Sequence, residues 1–229
     1  MTNQVNSEGT PIDGGIVAES HNQRVTDVIF DFCGVLVDLD YRPCLQGHSP
    51  ADVVDKLCAD EDDVYGFFAA EARMDAGEDF AVVIKDYRRD YGDDLATMFR
   101  YYIEHYDDAL PRMIPGMERL LNDLSDHGYR LWGLTNWSGE TFHFAFEKFP
   151  QIKKLLGGTI VSGAEKMHKP NADIYELALS RFGLDAGHCV FFDDTAANVA
   201  GAEAVGINGC RFTGADDARK QLKELGVHL

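Results

Sequence analysis

Short apolar runs alternate with amphipathic helical patterns along most of this chain, and that alternation limits the possible folds more than any other feature. The first run, VTDVIFDF at residues 25–32, is short and rich in β-branched and aromatic residues, as a buried parallel strand requires. Four similar runs follow, at residues 129–136, 158–163, 188–194 and 207–213. A strand followed by a helix, repeated, predicts an α/β fold with a doubly wound parallel sheet between two helical layers.

The helical patterns between these runs have clear ends. GMERLLNDLSDHG, residues 116–128, places four apolar residues on one face and reaches a stop signal at Gly128. NADIYELALSRFG, residues 171–183, has the same design and ends at Gly183. Both segments are predicted to be helices that cover the sheet.

One long stretch interrupts the alternation, because it contains helical patterns and no convincing strand. We therefore predict a core domain formed by residues 25–41 and 112–229, with an inserted helical domain at residues 42–111. Pro115, followed by glycine, marks the return to the core. Residues 1–24 are polar and are predicted to be a disordered lead-in.

The charge and the cysteines exclude several classes of protein. The chain has 39 acidic and 21 basic residues among 229, a net charge of -18, so its field repels nucleic acid and anionic membranes. Its five cysteines form no CxxC pair, which argues against a disulfide framework or a structural zinc site. The sequence shows no signal peptide and no apolar run of about 20 residues. We expect a cytoplasmic protein, either a monomer or a homodimer.

Polar residues of a consistent kind follow four of the predicted strands. They are Asp31 after the first, Thr135 and Asn136 after the second, Lys169 after the third, and Asp193 and Asp194 after the fourth. The carboxyl ends of parallel strands form the crevice in which α/β proteins bind ligands. We therefore expect these side chains to converge on one site.

The chemistry of such a cluster suits a magnesium ion and a phosphate. Two carboxylates in one crevice repel each other unless a cation lies between them, and Mg²⁺ prefers carboxylates, water and substrate oxygens. A carboxylate such as Asp31 can also attack phosphorus and form an aspartyl-phosphate. Lys169 and the Thr135 hydroxyl would then hold the phosphoryl oxygens.

The order and spacing of these residues resemble the haloacid dehalogenase superfamily. That family places an acid nucleophile after the first strand, here Asp31 in FDFCGVL, and a Ser or Thr after the second, here Thr135 in LTN. A lysine follows the third strand, here Lys169 in KP, and an acid pair follows the fourth, here Asp193 and Asp194 in FFDD. All four motifs occur in order. The resemblance implies a Rossmann-like core in three layers.

The resemblance also implies roles for the acids. Asp31 would be the nucleophile and a Mg²⁺ ligand, and Asp194 and the main-chain carbonyl of Cys33 would complete the protein ligands of the metal. Asp193 would be an outer acid or the partner of Lys169. These assignments make Mg²⁺ the expected cofactor.

Substrate contacts follow from the same resemblance. Thr135, Asn136 and Lys169 would bind the phosphoryl group of a small phosphorylated metabolite. The insertion would be a helical cap that closes over the site and selects the leaving group. Arg73 and His105 are polar candidates for that selection.

Cys33 departs from the family pattern. Family phosphatases usually carry a second Asp at this position, which protonates the leaving oxygen and later activates water. Its absence removes help that is typically worth about 10² to 10⁴-fold. The motifs look most similar to the branch that acts on glucose 1-phosphate, whose anomeric phosphate leaves easily, so a sugar phosphate is the expected substrate. Asp38 and Asp40 are the nearest acids that could substitute.

Other functions remain open at this point. A metal-independent haloacid dehalogenase also lacks an acid at position 33, because halide needs no proton to leave. A weakly active or non-catalytic member would bind a phosphorylated ligand or a protein, and a phosphoryl mutase or other transferase is a further alternative. A thiolate nucleophile at Cys33 is disfavoured, because the next arginine is Arg42, too distant for a phosphate-cradling loop.

Overall fold

A computed structural model describes residues 24–59 and 62–229 of the chain. The predicted disordered segment, apart from Arg24, lies outside the described residues. Within these residues, five parallel strands form one sheet in the order β3-β2-β1-β4-β5. They are β1 (Asp27–Phe30), β2 (Arg130–Thr135), β3 (Thr159–Val161), β4 (Cys189–Asp193) and β5 (Asn208–Arg211). Each lies within one of the apolar runs, which confirms the predicted doubly wound sheet.

Helices follow β1 without an intervening strand in the described part of residues 41–109. They are α1 (Tyr41–Leu45), α2 (Ala51–Ala59), α3 (Phe67–Asp75), α4 (Phe80–Tyr91) and α5 (Asp93–Glu104), followed by a 3₁₀ turn at Tyr106–Ala109. We refer to α1–α5 and this turn as the insertion helices. Their shared interior is aromatic: the rings of Phe67 and Phe99, for example, meet edge to face with centroids 5.2 Å apart.

The remaining helices cover the two faces of the sheet. They are α6 (Met117–Asp126), α7 (His143–Lys148), α8 (Pro150–Leu155), α9 (Ser162–Glu165), α10 (Ala172–Phe182), α11 (Ala196–Ala204) and α12 (Ala215–Glu224). The predicted stops hold, because Gly128 and Gly183 follow α6 and α10 with φ of 83° and 64°.

The side chains of strand β4 pack against both faces of the sheet. Side chains alternate across a strand, so Val190 and Phe192 pack into the core on one face, and Cys189 and Phe191 pack into the core on the other. All five residues of β4 are buried. This explains why the strand is continuously apolar until it reaches its terminal acid.

The register brings the functional ends of the strands to one edge. Phe30 of β1 lies beside Gly133 of β2 and Phe192 of β4, so the residues that follow these positions meet at the carboxyl edge of the sheet. No helix among the described residues is long and apolar enough to cross a membrane.

Candidate active site

A buried lysine joins two strands at the carboxyl edge of the sheet. The Lys169 Nζ lies 2.8 Å from Asp31 Oδ1 and 2.7 Å from Asp193 Oδ2, and it donates to the Leu134 carbonyl at 3.0 Å. The lysine side chain has no exposed surface. A buried cation is tolerated when it is paired and hydrogen-bonded, and these three oxygens meet that requirement.

Asp193 is fully engaged by its neighbours. Its Oδ1 accepts from the Thr195 main-chain N–H at 2.7 Å, and the Asn198 Nδ2 donates to Oδ1 and Oδ2 at 3.1 and 3.0 Å. Lys169 takes Oδ2 as well. Asp193 therefore fixes the lysine, in agreement with one of the two roles that the resemblance implied, and Asn198 orients Asp193.

The acids form a group of a size that suits one metal ion. Ligand oxygens of Asp31, Asp193 and Asp194 all lie within 4.8 Å of one another. Because Asp193 is occupied by its hydrogen bonds, Asp31 and Asp194 are the carboxylates suited to direct coordination. A hard oxygen donor set with few carboxylates fits Mg²⁺, which keeps waters and takes substrate oxygens.

The turn after β1 needs a glycine beside this group. Gly34 has φ of 78°, and a Cβ at this position would overlap Asp194 Oδ2. The turn is closed by the main-chain N–H groups of residues 35–37, which donate to the Phe32 carbonyl. The tight turn thus leaves space for the Asp194 carboxylate.

Cys33 lines the cleft in this turn. Burial raises the pKa of its thiol well above the usual value, and the negative charges of Asp31, Glu71 and Asp75 raise it further. The thiolate is therefore strongly disfavoured. This agrees with the expectation that Cys33 is not a nucleophile.

Asn136 anchors the lysine segment to the end of β2. Its Oδ1 accepts from the Lys169 main-chain N–H at 2.9 Å, and its Nδ2 donates to the Lys169 carbonyl at 3.0 Å. Thr135 lies directly behind it and is completely buried, with its hydroxyl 3.5 Å from the Asn136 carbonyl. Asn136 lines the cleft, whereas Thr135, which was expected to contact the phosphoryl group, is not among the residues that line it.

The pKa values of Asp31 and Lys169 reflect both their burial and the ion pair between them. Burial raises the pKa of Asp31 to about 6, although the ion pair with Lys169 opposes this shift. Burial alone would lower the pKa of Lys169, but Asp31 and Asp193 raise it above its usual value. Burial and the charge of Asp193 also raise the pKa of Asp194. The carboxylates thus gain from any additional cation placed among them.

The cleft above these residues has a volume of about 410 Å³. Its lining includes Asp38, whose carboxylate is paired with Arg112 at 3.0 Å. Asp40, the other candidate for a substitute acid, instead accepts from the Arg42 main-chain N–H at the start of α1. Asp40 thus has a capping role in the structure, and it is not among the residues that line the cleft.

The two polar candidates of the insertion face elsewhere. Arg73 is paired with Glu78 and Asp86, and it does not line the cleft. The His105 ring stacks on Tyr101, with centroids 4.0 Å apart, and its Nδ1 contacts the Tyr101 carbonyl. Local partners hold both side chains, and their role in substrate selection stays a prediction.

Two other acids of the insertion, Glu71 and Asp75, act electrostatically on Cys33, and sequence reasoning did not identify them. Glu71 accepts hydrogen bonds from the hydroxyl groups of Tyr41 at 3.1 Å, Tyr106 at 3.3 Å and Tyr102. Asp75 follows one helical turn later on α3. The available signal was the EARMD segment, which places two carboxylates four residues apart on one helix face.

A doubly wound sheet with a buried lysine among three carboxylates at its carboxyl edge is the arrangement of an enzyme core. Residues 28–206 match the family model described as haloacid dehalogenase-like hydrolase. The chain belongs to this hydrolase family.

The matches to individual proteins cover less of the chain than the family model does. A 109-residue segment is 31% identical to the sesquiterpene phosphatase astK of Aspergillus oryzae and covers 48% of this chain and 55% of astK. A 116-residue segment is 27% identical to flavin mononucleotide hydrolase 1 of Arabidopsis thaliana and covers 51% of this chain and 46% of that protein. The matched segments thus span about half the length of these curated relatives.

Solved structures extend the likeness to the whole fold. A haloacid dehalogenase family enzyme of Bacteroides thetaiotaomicron superimposes with a TM-score of 0.68 at 19% identity, covering 87% of this chain and 99% of that one. The same enzyme has been solved with magnesium and inorganic phosphate. At this identity the comparison establishes the fold alone.

Proposed function

We propose that this protein is a Mg²⁺-dependent phosphomonoester hydrolase. The observation that carries the proposal is the position of Lys169 between Asp31 and Asp193, with Asp194 in the same group of carboxylates. The buried ammonium group of Lys169, beside the Asp31 carboxylate, supplies positive charge for a phosphoryl group. A metal ion held by Asp31 and Asp194 would supply the additional positive charge that this group of acids requires.

The residues of the chain perform the reaction in two stages. One oxygen of Asp31 attacks phosphorus while Lys169, which is fixed by Asp193 and Asn136, holds Asp31 and stabilises the transferring oxygens. The leaving oxygen departs with the rest of the substrate. Water then attacks the phosphorus of the aspartyl-phosphate, which releases phosphate and restores the Asp31 carboxylate.

Asp31, Asp194 and the main-chain carbonyl of Cys33 are the proposed ligands of Mg²⁺. When bound there, the ion would supply positive charge to the phosphoryl oxygens. Gly34 contributes by leaving room for Asp194. The insertion, residues 42–111, is proposed to act as a cap that covers the cleft and excludes water.

The substrate is proposed to be a small phosphorylated metabolite, with a sugar phosphate such as glucose 1-phosphate as the first to test. Two curated relatives are a flavin mononucleotide hydrolase and a sesquiterpene phosphatase, which supports phosphomonoesters as the substrate class. The cleft volume of about 410 Å³ suits a small molecule. The chain's net charge of -18 makes the local lysine and metal necessary for any anionic substrate.

The test is phosphate release from p-nitrophenyl phosphate and from a panel of phosphorylated metabolites, with Mg²⁺ and with EDTA. We expect release that needs Mg²⁺. Halide release from 2-chloropropionate is measured in parallel, because Cys33 is also compatible with a dehalogenase. Metal-independent halide release without phosphate release would replace the proposal with that second function.

A further inference from the structure

The lining of the cleft includes a charged side chain that the reaction does not use. Among the described residues four charged residues line the cleft, and Asp31, Lys169 and Asp194 belong to the proposed nucleophile, its lysine and the metal site. The fourth is Asp38, which is not part of the group of acids whose ligand oxygens lie within 4.8 Å of one another. A role for Asp38 toward the substrate deepens the proposed function and rests on it.

Main-chain hydrogen bonds hold Asp38 on the wall of the cleft from two sides. The Gly34 N–H donates to the Val37 carbonyl at 2.9 Å, so Asp38 directly follows a residue that is bonded to the turn after β1. The Asp38 N–H donates to the Arg112 carbonyl at 2.9 Å. A Cβ on Gly34 would overlap Asp194 Oδ2, so this turn lies against a proposed metal ligand. The position of Asp38 beside the metal site is therefore fixed by the backbone.

The carboxylate of Asp38 has room for further hydrogen bonds. Its Oδ2 lies 3.0 Å from Arg112 Nη2, and the two side chains are 32% and 67% exposed. Within residues 24–59 and 62–229, neither oxygen of Asp38 accepts a hydrogen bond. An ionised carboxylate offers about four lone-pair sites, so most of these sites are open to a ligand in the cleft.

The two amide side chains that line the cleft already have partners within the protein. Asn136 bonds through both Oδ1 and Nδ2 to the main chain of Lys169, and Asn198 donates through Nδ2 to Asp193. A ligand that enters the cleft therefore meets in Asp38 an acceptor that is not yet engaged.

The ion pair with Arg112 indicates which donor fits this acceptor. Because the guanidinium group compensates the charge of Asp38, the carboxylate does not need a second cation, and an uncharged donor such as an alcohol hydroxyl completes its hydrogen bonds. Leu39 also lines the cleft and offers apolar surface to a carbon chain. A leaving group with hydroxyl groups on a carbon chain matches both neighbours, as polar and apolar groups in a small-molecule site usually do.

We propose that Asp38 is a specificity-determining residue, whose carboxylate accepts a hydrogen bond from a hydroxyl group on the leaving part of the substrate. The preferred substrates are then phosphate esters of polyols and sugars. The hydroxyl group takes no part in the bonds that break and form at phosphorus, so this contact exists both in the bound substrate and in the transition state. Its loss should therefore raise KM more than it lowers kcat.

The experiment compares glycerol 1-phosphate with propyl phosphate, which has the same carbon chain without hydroxyl groups, in the full-length protein with Mg²⁺. The unaltered enzyme should prefer the glycerol ester. Asp38→Ala should lower the ratio of the two kcat/KM values by about 10 to 100-fold, mainly through a higher KM for glycerol 1-phosphate. The same two esters are compared in each variant, so their intrinsic reactivities cancel. A ratio that Asp38→Ala leaves unchanged would overturn the proposal.

Two control variants separate recognition from a structural role of the ion pair. Arg112→Met removes the guanidinium group and leaves the carboxylate, and such exposed pairs contribute little, so the ratio should change by less than about 5-fold. Asp126→Ala, which removes an exposed acid at the end of α6, should leave the ratio unchanged. An equal fall of the ratio in Asp38→Ala and Arg112→Met would assign the effect to the ion pair and overturn the proposal.

A second variant and a second ligand sharpen the assignment. Asp38→Asn keeps an uncharged acceptor and should give a ratio between those of Asp38→Ala and the unaltered enzyme, and it replaces Asp38→Ala if that variant folds poorly. Phosphoethanolamine tests whether the carboxylate recognises a cation instead. A larger loss of kcat/KM for phosphoethanolamine than for glycerol 1-phosphate in Asp38→Ala would overturn the hydroxyl assignment.

The proposed function can fail separately from this inference. It fails if the unaltered protein releases no phosphate from any ester, and binding then decides the role of Asp38. With Mg²⁺ present, glycerol 1-phosphate should raise the melting temperature more than propyl phosphate does, and Asp38→Ala should abolish that difference. Equal increases for the two esters in the unaltered protein would overturn the inference.

Discussion

The two sides of the cleft hold their buried acids in different ways. On the sheet side, Asp31 and Asp193 share one lysine, so a full positive charge compensates their burial. On the insertion side, Glu71 accepts hydrogen bonds from three tyrosine hydroxyls, and burial raises the pKa of both Glu71 and Asp75. Burial of the carboxylates is therefore compensated by charge on the sheet side, whereas on the insertion side it favours the protonated form.

The largest expected effect is on the sheet side, at the nucleophile. Asp31→Asn keeps the size of the side chain and removes the attacking oxygen, so phosphatase activity should fall by at least about 10³-fold. Asp126→Asn, on the exposed end of α6, is the control and should retain full activity. Steady-state assays of phosphate release measure both. Activity of Asp31→Asn within 10-fold of the unaltered enzyme would refute the nucleophile assignment.

The lysine should matter for stability as well as activity. Lys169→Met leaves two buried carboxylates without their cation, and breaking a buried pair in this way costs about 3–5 kcal/mol. Denaturant unfolding of the metal-free protein measures the loss. Lys154→Met, at an exposed position on α8, should change the free energy of unfolding by less than about 0.5 kcal/mol. Equal losses in the free energy of unfolding for the two variants would contradict the claim that Lys169 compensates the buried carboxylates of the sheet side.

Gly34 tests the metal site without removing a carboxylate. Gly34→Ala should displace the Asp194 carboxylate, and Mg²⁺ affinity should weaken by about 10 to 100-fold, the usual range when the support of a ligand is lost. Mg²⁺ titration of activity gives the affinity. Gly47→Ala is the matched control, because Gly47 has φ of 86° and no heavy atom within 4 Å of the added Cβ. The account requires normal Mg²⁺ affinity in that control.

The smallest effect concerns the pH dependence of stability on the insertion side. The folded-state pKa of Asp75 is raised to about 8, so between about pH 4 and pH 8 the folded protein binds a proton that the unfolded chain releases. This contribution is present at low pH and is lost as the pH rises. As the pH rises from 5 to 8, the free energy of unfolding of Asp75→Asn should therefore increase by on the order of 1–3 kcal/mol relative to that of the unaltered protein.

Urea unfolding in EDTA at the two pH values measures that gain. Asp126→Asn, which changes an exposed acid, should show no such difference between pH 5 and pH 8. If the free energies of unfolding of Asp75→Asn and the unaltered protein differ by the same amount at pH 5 and at pH 8, Asp75 is ionised throughout this range.

The sheet side was largely predictable from the sequence. Its strands are local apolar runs, and the carboxyl ends of parallel strands must meet at one edge, which brings Asp31, Lys169 and Asp193 together. The hydrogen bonds that Asp193 accepts were harder to predict from the sequence. Asn198 could equally have lain on the surface of α11, and only the packing of that helix aims its amide at both oxygens of Asp193.

The insertion side could not be predicted in the same way. Which face of α3 packs against the core depends on tertiary contacts, including the hydrogen bond from the Ser162 hydroxyl to the Asp75 main-chain carbonyl. Arg73 lies between Glu71 and Asp75 in sequence, yet it points to Glu78 and Asp86. Helical periodicity gives the faces of a helix but not the face that a separate domain will present to a site.

The most direct test of the central claim is the capture of a phosphoryl group on Asp31. The enzyme is mixed in excess with radiolabelled p-nitrophenyl phosphate and Mg²⁺, quenched in acid during the first turnover, and digested for peptide mapping. The account predicts label on the peptide that contains Asp31, and no label on this peptide in Asp31→Asn. Label on a different residue, or phosphate release that continues at full rate in Asp31→Asn, would contradict it.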